Sequence, residues 1–140
     1  MIEPELYVGQ VPDGKWEKAL RRHLAELGEG ARLGFLAEMV LRQNSAGLAV
    51  LWWLEFASGL LSHRSSFERL LLDGIGVADA SSVKCWIDVC VPRIGVERTV
   101  ELVGGAFSGN AKRRAMVAYW LCRMAKGVEE LDLVRSLESS

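Results

Sequence analysis

Apolar residues recur along most of the chain at intervals of three and four, the spacing that places side chains on one face of an α-helix. Segments rich in glycine, serine, asparagine or proline interrupt this pattern repeatedly. The pattern therefore predicts an all-α chain of about eight helices. An extended arm is expected over residues 1–12, which contain two prolines and no helical period.

One short phrase occurs three times: valine, two other residues, tryptophan and then isoleucine or leucine. It spans Val50–Leu54, Val83–Ile87 and Val117–Leu121, and its tryptophans (Trp53, Trp86 and Trp120) lie 33 and 34 residues apart. This interval is typical of helical-hairpin repeats, whose stacked copies share one core. The sequence predicts a single repeat domain over residues 13–138, divided into the hairpins 13–43, 44–76, 77–108 and 109–138.

The repeat interval and the hairpin pattern resemble those of α-solenoid proteins of the HEAT, armadillo and tetratricopeptide kinds. The resemblance covers most of the chain. It implies a curved stack of helices whose concave face binds another macromolecule, most often a protein.

Particular residues are expected to begin or end the helices. Ser65 and Glu68 have the S-x-x-E form of a capping box at the start of the fourth helix. Asp13, Asp79 and Asn110 are the expected N-terminal caps of the first, fifth and seventh helices. At the other ends, Gly28 and Gly30 should break the first helix, Pro92 should kink or shorten the fifth, and Gly127 should stop the seventh.

The composition is that of a globular protein, with 50% hydrophobic residues and a net charge of -1. A nearly neutral chain attracts nucleic acid or a membrane only through a local patch. The most apolar stretch, 46–61, contains Glu55 and is shorter than the roughly 20 residues of a membrane span. The three cysteines fit no zinc motif, so we expect free thiols and a cytoplasmic protein.

The tryptophans offer two interpretations. Trp53, Trp86 and Trp120 could form a ladder that stacks a ligand, but periodic aromatics on an apolar stripe are usually core, and we expect core here. Trp52 and Glu55 lie on the least apolar face of the third helix. In one interpretation the helix is buried on most sides, with Glu55 at the surface or paired to an arginine of a neighbouring hairpin. In the other, Trp52 and Glu55 form an aromatic anchor next to a charge, as at the hot spot of a protein interface.

Five basic residues and no acidic residue lie between 110 and 126. By helical spacing, Lys112, Met116, Tyr119, Arg123 and Lys126 share one face, with Arg113 and Arg114 beside it. This face is either a solvated surface neutralised by the acidic eighth helix or a docking surface for an acidic peptide or for phosphates.

The sequence contains no catalytic constellation, and we predict no catalytic residue, metal or cofactor. His23 and His63 have no Cys, Asp or Glu at metal-ligand spacing. The first hypothesis is a non-catalytic module that binds one protein partner, as an adaptor, a dedicated chaperone or an immunity-type inhibitor. One alternative is nucleic-acid binding through the basic helix 110–126. The other is a self-associating subunit that buries Trp52 and Phe56.

Overall fold

A computed structural model of the chain describes residues 14–42, 48–78 and 82–138. Within these ranges the backbone forms α-helices and no β-strand, which confirms the all-α prediction. None of the described helices is long and apolar enough to cross a membrane. The elements are α1 (Gly14–Ala25), α2 (Glu29–Leu41), α3 (Leu48–Ser58), α4 (Arg64–Val77), α5 (Val83–Ile94), α6 (Val96–Ala106), α7 (Ala111–Leu121) and α8 (Gly127–Ser136).

Helices that are two apart in the sequence pack against each other. The helix α2 contacts α4, α4 contacts α6 and α6 contacts α8, while α3 contacts α5 and α5 contacts α7. The three copies of the Val-x-x-Trp phrase lie on α3, α5 and α7. The repeated segments therefore occupy alternate helices, and α5 contacts both α3 and α7.

The most extensive helix packing in the described part of the chain joins α4 to α5. A Cβ atom at Gly74 would overlap the indole ring of Trp86. Because glycine has no side chain, that ring lies directly against the backbone of α4. This packing crosses the expected boundary between the hairpins 44–76 and 77–108, and the division into four hairpins stays a prediction.

One hydrophobic core runs through the described helices. Trp53 and Trp86 are buried in it, whereas Trp120 is half-buried at its edge. Each buried indole removes a large apolar area from water, so these two rings stabilise the packing of α3 and α5. Other fully buried side chains include Leu24, Leu36, Phe67, Leu70, Ile87 and Leu121.

The capping box expected at Ser65 and Glu68 does not form. The helix α4 begins at Arg64, so Ser65 already lies inside the first turn, and the N-cap residue His63 makes no side-chain capping bond. Glu29 of α2 performs this function instead, and its carboxylate accepts hydrogen bonds from the backbone at the start of α4.

Two other expectations about helix ends were wrong, because Gly30 lies inside α2 and Gly127 begins α8. Pro92 lies inside α5, two residues before its end, and the expected kink there stays a prediction. Pro92 and Asp88 are both exposed. A proline has no N–H to donate to the carbonyl of Asp88, and the helix nevertheless continues to Ile94.

The expected cap at Asn110 is confirmed, since its side-chain oxygen accepts a hydrogen bond from the backbone N–H of Arg113 at 3.1 Å. The arm 1–12 and the expected caps Asp13 and Asp79 lie outside the described residues.

Candidate functional site

Two aromatic rings and two cations meet near the C-terminal end of α7. Tyr119 is 59% exposed, and its ring centroid lies 5.0 Å from that of Trp120, with the planes at 85°. The guanidinium carbon of Arg123 lies 5.0 Å from the Trp120 centroid and 5.8 Å from the Tyr119 centroid. The ammonium nitrogen of Lys84, on α5, lies 5.9 Å from the Trp120 centroid. We call these four residues the aromatic–cationic patch.

Local helix geometry places these groups together. The Asn110 cap sets the start of α7, and buried Val117 and Leu121 fix which of its faces packs on the core. Side chains three and four positions apart on a helix are neighbours, which brings Arg123 towards both rings even though it stands just past the helix. A cation at a helix C-terminus is also favoured by the helix dipole.

The basic stripe predicted for the seventh helix does not continue through its length. Since α7 ends at Leu121, Arg123 and Lys126 belong to the turn that follows, and Lys126 stands directly before α8. On α7 itself Lys112 is exposed and Met116 is half-buried. A partner-binding role for these residues stays a prediction.

Two arginines in the basic segment hydrogen-bond within the protein. Arg113 donates from Nη1 to the carbonyls of Ile75 (2.9 Å) and Ala78, at the C-terminal end of α4. Arg114 is only 2% exposed, and it donates to the carbonyls at the C-terminal ends of α6 and α8. These two side chains stabilise helix ends, so the exposed cations of the segment are Lys112, Arg123 and Lys126.

Arg113 and Arg114 belong to a larger set of arginines that cap the C-terminal ends of helices. The donors and their carbonyl acceptors are Arg32 to Leu27 and Leu60, Arg64 to Ile94, Arg93 to Ser58, Arg113 to Ile75 and Ala78, and Arg114 to Phe107, Ser108 and Leu137. Sequence reasoning missed these caps, because most of the acceptors lie far along the chain. The 32-residue spacing of Arg32 and Arg64 is a signal that points to two of them.

The second predicted site, Trp52 with Glu55, has a different environment. The half-buried ring of Trp52 stacks on Phe56 with centroids 4.9 Å apart and planes at 19°. The guanidinium carbon of Arg21, on α1, lies 4.8 Å from the Phe56 centroid. Glu55 is exposed. Trp52 therefore packs against Phe56 of its own helix, and a hot-spot role for Trp52 and Glu55 stays a prediction.

The groups that could carry out chemistry are dispersed. Among the described residues, no group of three or more His, Cys, Asp or Glu side chains could hold a metal ion. Burial raises the pKa of the Cys90 thiol to about 12. Burial, together with the nearby charge of Asp88, also raises the pKa of Cys85. Both cysteines are therefore thiols rather than reactive thiolates at neutral pH.

The composition of the aromatic–cationic patch is typical of a protein interface, where Tyr, Trp and Arg are enriched. No family model, no characterised protein and no solved structure matches this chain. The patch is therefore interpreted from its own geometry and charge.

Proposed function

We propose that the chain is a non-catalytic protein–protein interaction module, such as an adaptor, a dedicated chaperone or an immunity-type inhibitor. It binds one protein partner through the aromatic–cationic patch. The observation that carries this proposal is the 59% exposure of Tyr119 beside Trp120, with the guanidinium of Arg123 within 6 Å of both ring centroids. A large aromatic side chain held rigidly at the surface contributes contact area at little entropic cost.

We further propose that the helices stack as a HEAT-like α-solenoid. The packing of helices two apart in the sequence supports this architecture, as does the placement of the tryptophan phrase on α3, α5 and α7. In such a stack the three helices form one continuous surface. The patch, which joins α5 to α7 through Lys84 and Trp120, is part of that surface.

The chemistry of the patch favours an acidic segment of the partner. Arg123 is exposed and can bind a carboxylate through two parallel hydrogen bonds. Lys84 already forms an ion pair with Asp88, so Arg123 is the stronger candidate for the contact. Because the chain has a net charge of -1, this attraction is local to the patch.

Neither alternative function gains a specific supporting observation. Phosphate binding by the basic helix would need Arg113 and Arg114, whose guanidinium groups bind backbone carbonyls. Self-association through Trp52 and Phe56 would need exposed rings, but Phe56 is 4% exposed. We also propose a cytoplasmic location, which suits the free thiols of the chain.

The test is a tagged pull-down from the host lysate, with and without nuclease, of the wild-type chain and the double variant Y119A/R123E. Both positions are exposed, so the variant should keep the wild-type circular dichroism spectrum and melting temperature. We expect one protein to be captured near unit stoichiometry by the wild type, and to be lost from the variant.

The matched control is R135E, which reverses a charge at an exposed position on α8. This control should capture the partner as the wild type does. Capture that is lost on nuclease treatment would favour nucleic acid instead. Capture that survives in Y119A/R123E would show that another surface binds the partner.

A further inference from the structure

The first and last helices that the structure describes carry opposite charges. The helix α1 contains four basic residues and one acidic residue, whereas α8 contains three acidic residues and one basic residue. The chain as a whole has a net charge of -1. The two helices therefore present local charges that the average over the chain conceals.

The basic charge of α1 lies on the side of the helix that faces away from the core. Leu20 and Leu24 are buried, while Lys18 and Arg22, which lie two positions from one or both of them, are exposed. Residues two apart on a helix point to nearly opposite sides, and residues four apart share a side. Lys18 and Arg22 thus form one exposed surface, which we call the basic face of α1.

The acidic charge of α8 is combined with exposed apolar side chains. Glu129, Asp132, Leu133 and Ser136 share one side of the helix and line a surface depression of about 450 Å³. Leu133 is 39% exposed, and Val128 next to this side is 74% exposed. We call these five residues the acidic face of α8. Its mixture of apolar and charged side chains is typical of a binding surface.

The acids of this face differ from those of most other helices in how they are paired. Glu129 and Asp132 form no ion pair with any residue that the structure describes. The ion pairs between residues three or four apart are Glu17–Arg21, Glu38–Arg42, Arg64–Glu68, Arg69–Asp73, Lys84–Asp88 and Arg98–Glu101. Lys18 and Arg22 of the basic face likewise form no ion pair within the described ranges.

We propose that a second copy of this chain binds the acidic face of α8 through the basic face of its α1. The two cations and the two carboxylates are each about one helical turn apart, so two ion pairs form together. Val128 and Leu133 pack on the aliphatic stems of the lysine and the arginine. The proposal goes beyond the proposed function, since the aromatic–cationic patch belongs to neither face.

Within one chain the two helices have different neighbours. The helix α8 packs on α6 and α7, whereas Arg21 of α1 lies against the ring of Phe56 on α3. The contact between the two faces is therefore a contact between molecules.

The basic face of α1 suits this contact better than the arginines of the basic segment. Lys18 and Arg22 are exposed, whereas the guanidinium groups of Arg113 and Arg114 donate to backbone carbonyls. Arg123 already lies over two rings of its own chain.

The expected association is weak and depends on salt. One helix face against another makes a small interface, and small interfaces are usually transient. Ion pairs at the surface are screened by added salt. The protein should therefore associate at high concentration and low salt.

The first experiment measures the mass of the wild-type chain in solution by sedimentation equilibrium over a series of concentrations. We expect the average mass to rise above that of the monomer at low salt, and to return to it at about 0.5 M salt, where charges are screened. A monomer at every concentration, or association that salt does not weaken, would overturn the proposal.

The second experiment reverses the charge of each face separately. E129K/D132K makes both faces basic and K18E/R22E makes both faces acidic, so each variant alone should associate at least tenfold more weakly than the wild type. An equimolar mixture of the two variants should associate again, because each basic face then meets an acidic one. Wild-type association by either variant alone, or no association in the mixture, would overturn the proposal.

The matched control is E97K/E101K, which produces the same net charge as E129K/D132K. Both of its positions are exposed on α6, and Glu97 lies in the first turn as Glu129 does in α8. This control should associate like the wild type. Equal weakening in E97K/E101K would assign the effect to net charge and contradict the proposed contact.

The milder variant E129Q/D132N keeps the proposal testable if the reversed charges disturb folding. It removes the two charges and retains the shape of the side chains, so association should weaken several-fold at an unchanged melting temperature. Association equal to that of the wild type would contradict the role of the two carboxylates.

The location of the contact is tested by mixing ¹⁵N-labelled E129K/D132K with unlabelled K18E/R22E. We expect the amide signals of residues 18–25 and 128–136 to shift. Shifts centred on Tyr119 and Trp120 would place the second copy on the aromatic–cationic patch and overturn the proposal.

The variant Y119A/R123E separates this proposal from the proposed function. It retains both faces, so it should associate with itself like the wild type while it loses the captured protein. Loss of self-association in Y119A/R123E would contradict the contact between α1 and α8, whereas wild-type capture by this variant would contradict only the proposed function.

Discussion

The carboxylate of Glu29, on α2, accepts a hydrogen bond of 2.9 Å from the backbone N–H of His63, at the start of α4. The same carboxylate accepts from the backbone of Ser62 (2.9 Å) and from the hydroxyl of Ser66 (2.8 Å). The Glu29 side chain is 12% exposed, so these bonds are largely shielded from water. The N-terminus of α4 is therefore capped by another helix.

Acid should destabilise the protein through Glu29. Burial raises the pKa of this carboxyl, but hydrogen bonds from His63, Ser66 and Ser62 and the charge of His63 outweigh burial and lower the pKa to about 2. The ordinary value is 4.5. The contribution is thus fully present above about pH 4.5 and is lost as the pH falls towards 2. We expect a loss of about 3 kcal/mol, measured by urea unfolding from pH 7 to pH 2.

The variant E29Q isolates this effect. It should lower the free energy of unfolding at pH 7 and flatten the dependence on acid, because an amide does not titrate. The control E38Q removes a carboxylate that pairs with Arg42 at an exposed position, and it should cost less than about 1 kcal/mol. Acid sensitivity that is unchanged in E29Q would assign the effect to other groups.

The close approach of α4 and α5 should make position 74 intolerant of any side chain. In G74A the new methyl group would overlap the indole of Trp86, and separating the helices should cost about 1–3 kcal/mol or more. G76A is the control, because a Cβ atom there meets nothing within 4 Å and lies on the same helix. Urea unfolding should therefore show G74A destabilised and G76A near the wild type or slightly more stable.

Removing the buried guanidinium of Arg114 should destabilise the C-terminal half. R114M leaves the carbonyls of Phe107, Ser108 and Leu137 without this donor, and we expect a cost on the order of 3 kcal/mol. K112M, at an exposed position on the same helix, should change the free energy of unfolding by less than about 0.5 kcal/mol. Equal stability of the two variants in thermal unfolding would contradict the capping role.

R114K tests whether charge alone is sufficient at this position. A lysine keeps the charge but lacks the planar fork that reaches acceptors on two helix ends, so it should recover only part of the lost stability. Full recovery would show that the hydrogen-bond geometry of the guanidinium contributes little.

The three cysteines should differ in reactivity. Cys90 is buried and its pKa is raised to about 12, so it should not react with a thiol reagent such as DTNB at pH 8 in the native state. Cys85 and Cys122 are only half-buried, and they should react first. After unfolding, all three should react. Three rapidly reacting thiols in the native protein would contradict the placement of Cys90.

Local patterns predicted the helices themselves. Periodic apolar residues located the helical segments, and the Asn110 cap was read directly because both its donor and its acceptor lie within four residues. The three copies of the tryptophan phrase lie on α3, α5 and α7, and α5 contacts both of the others. Burial of Trp53 and Trp86 follows from the same stripe, since a large apolar side chain at a periodic position usually faces the core.

Neighbouring residues of the same type can have different environments. Lys112, Arg113 and Arg114 looked like one basic cluster, yet Lys112 is exposed, Arg113 caps α4 and Arg114 is buried. Which face of a helix meets another helix depends on how the two helices cross. A short stretch of sequence does not predict the crossing, so it does not predict which basic side chains become buried.

The sequence by itself determined the all-α class and the approximate positions of the helices, because these depend on contacts within a helix or on one apolar stripe. Only the tertiary structure decided how the helix ends are capped and which surfaces remain available. Glu29 meets the start of α4 more than thirty residues away, and Trp120 meets Lys84 from another helix. Such contacts form only when the packing brings distant segments together, so they leave no local signal.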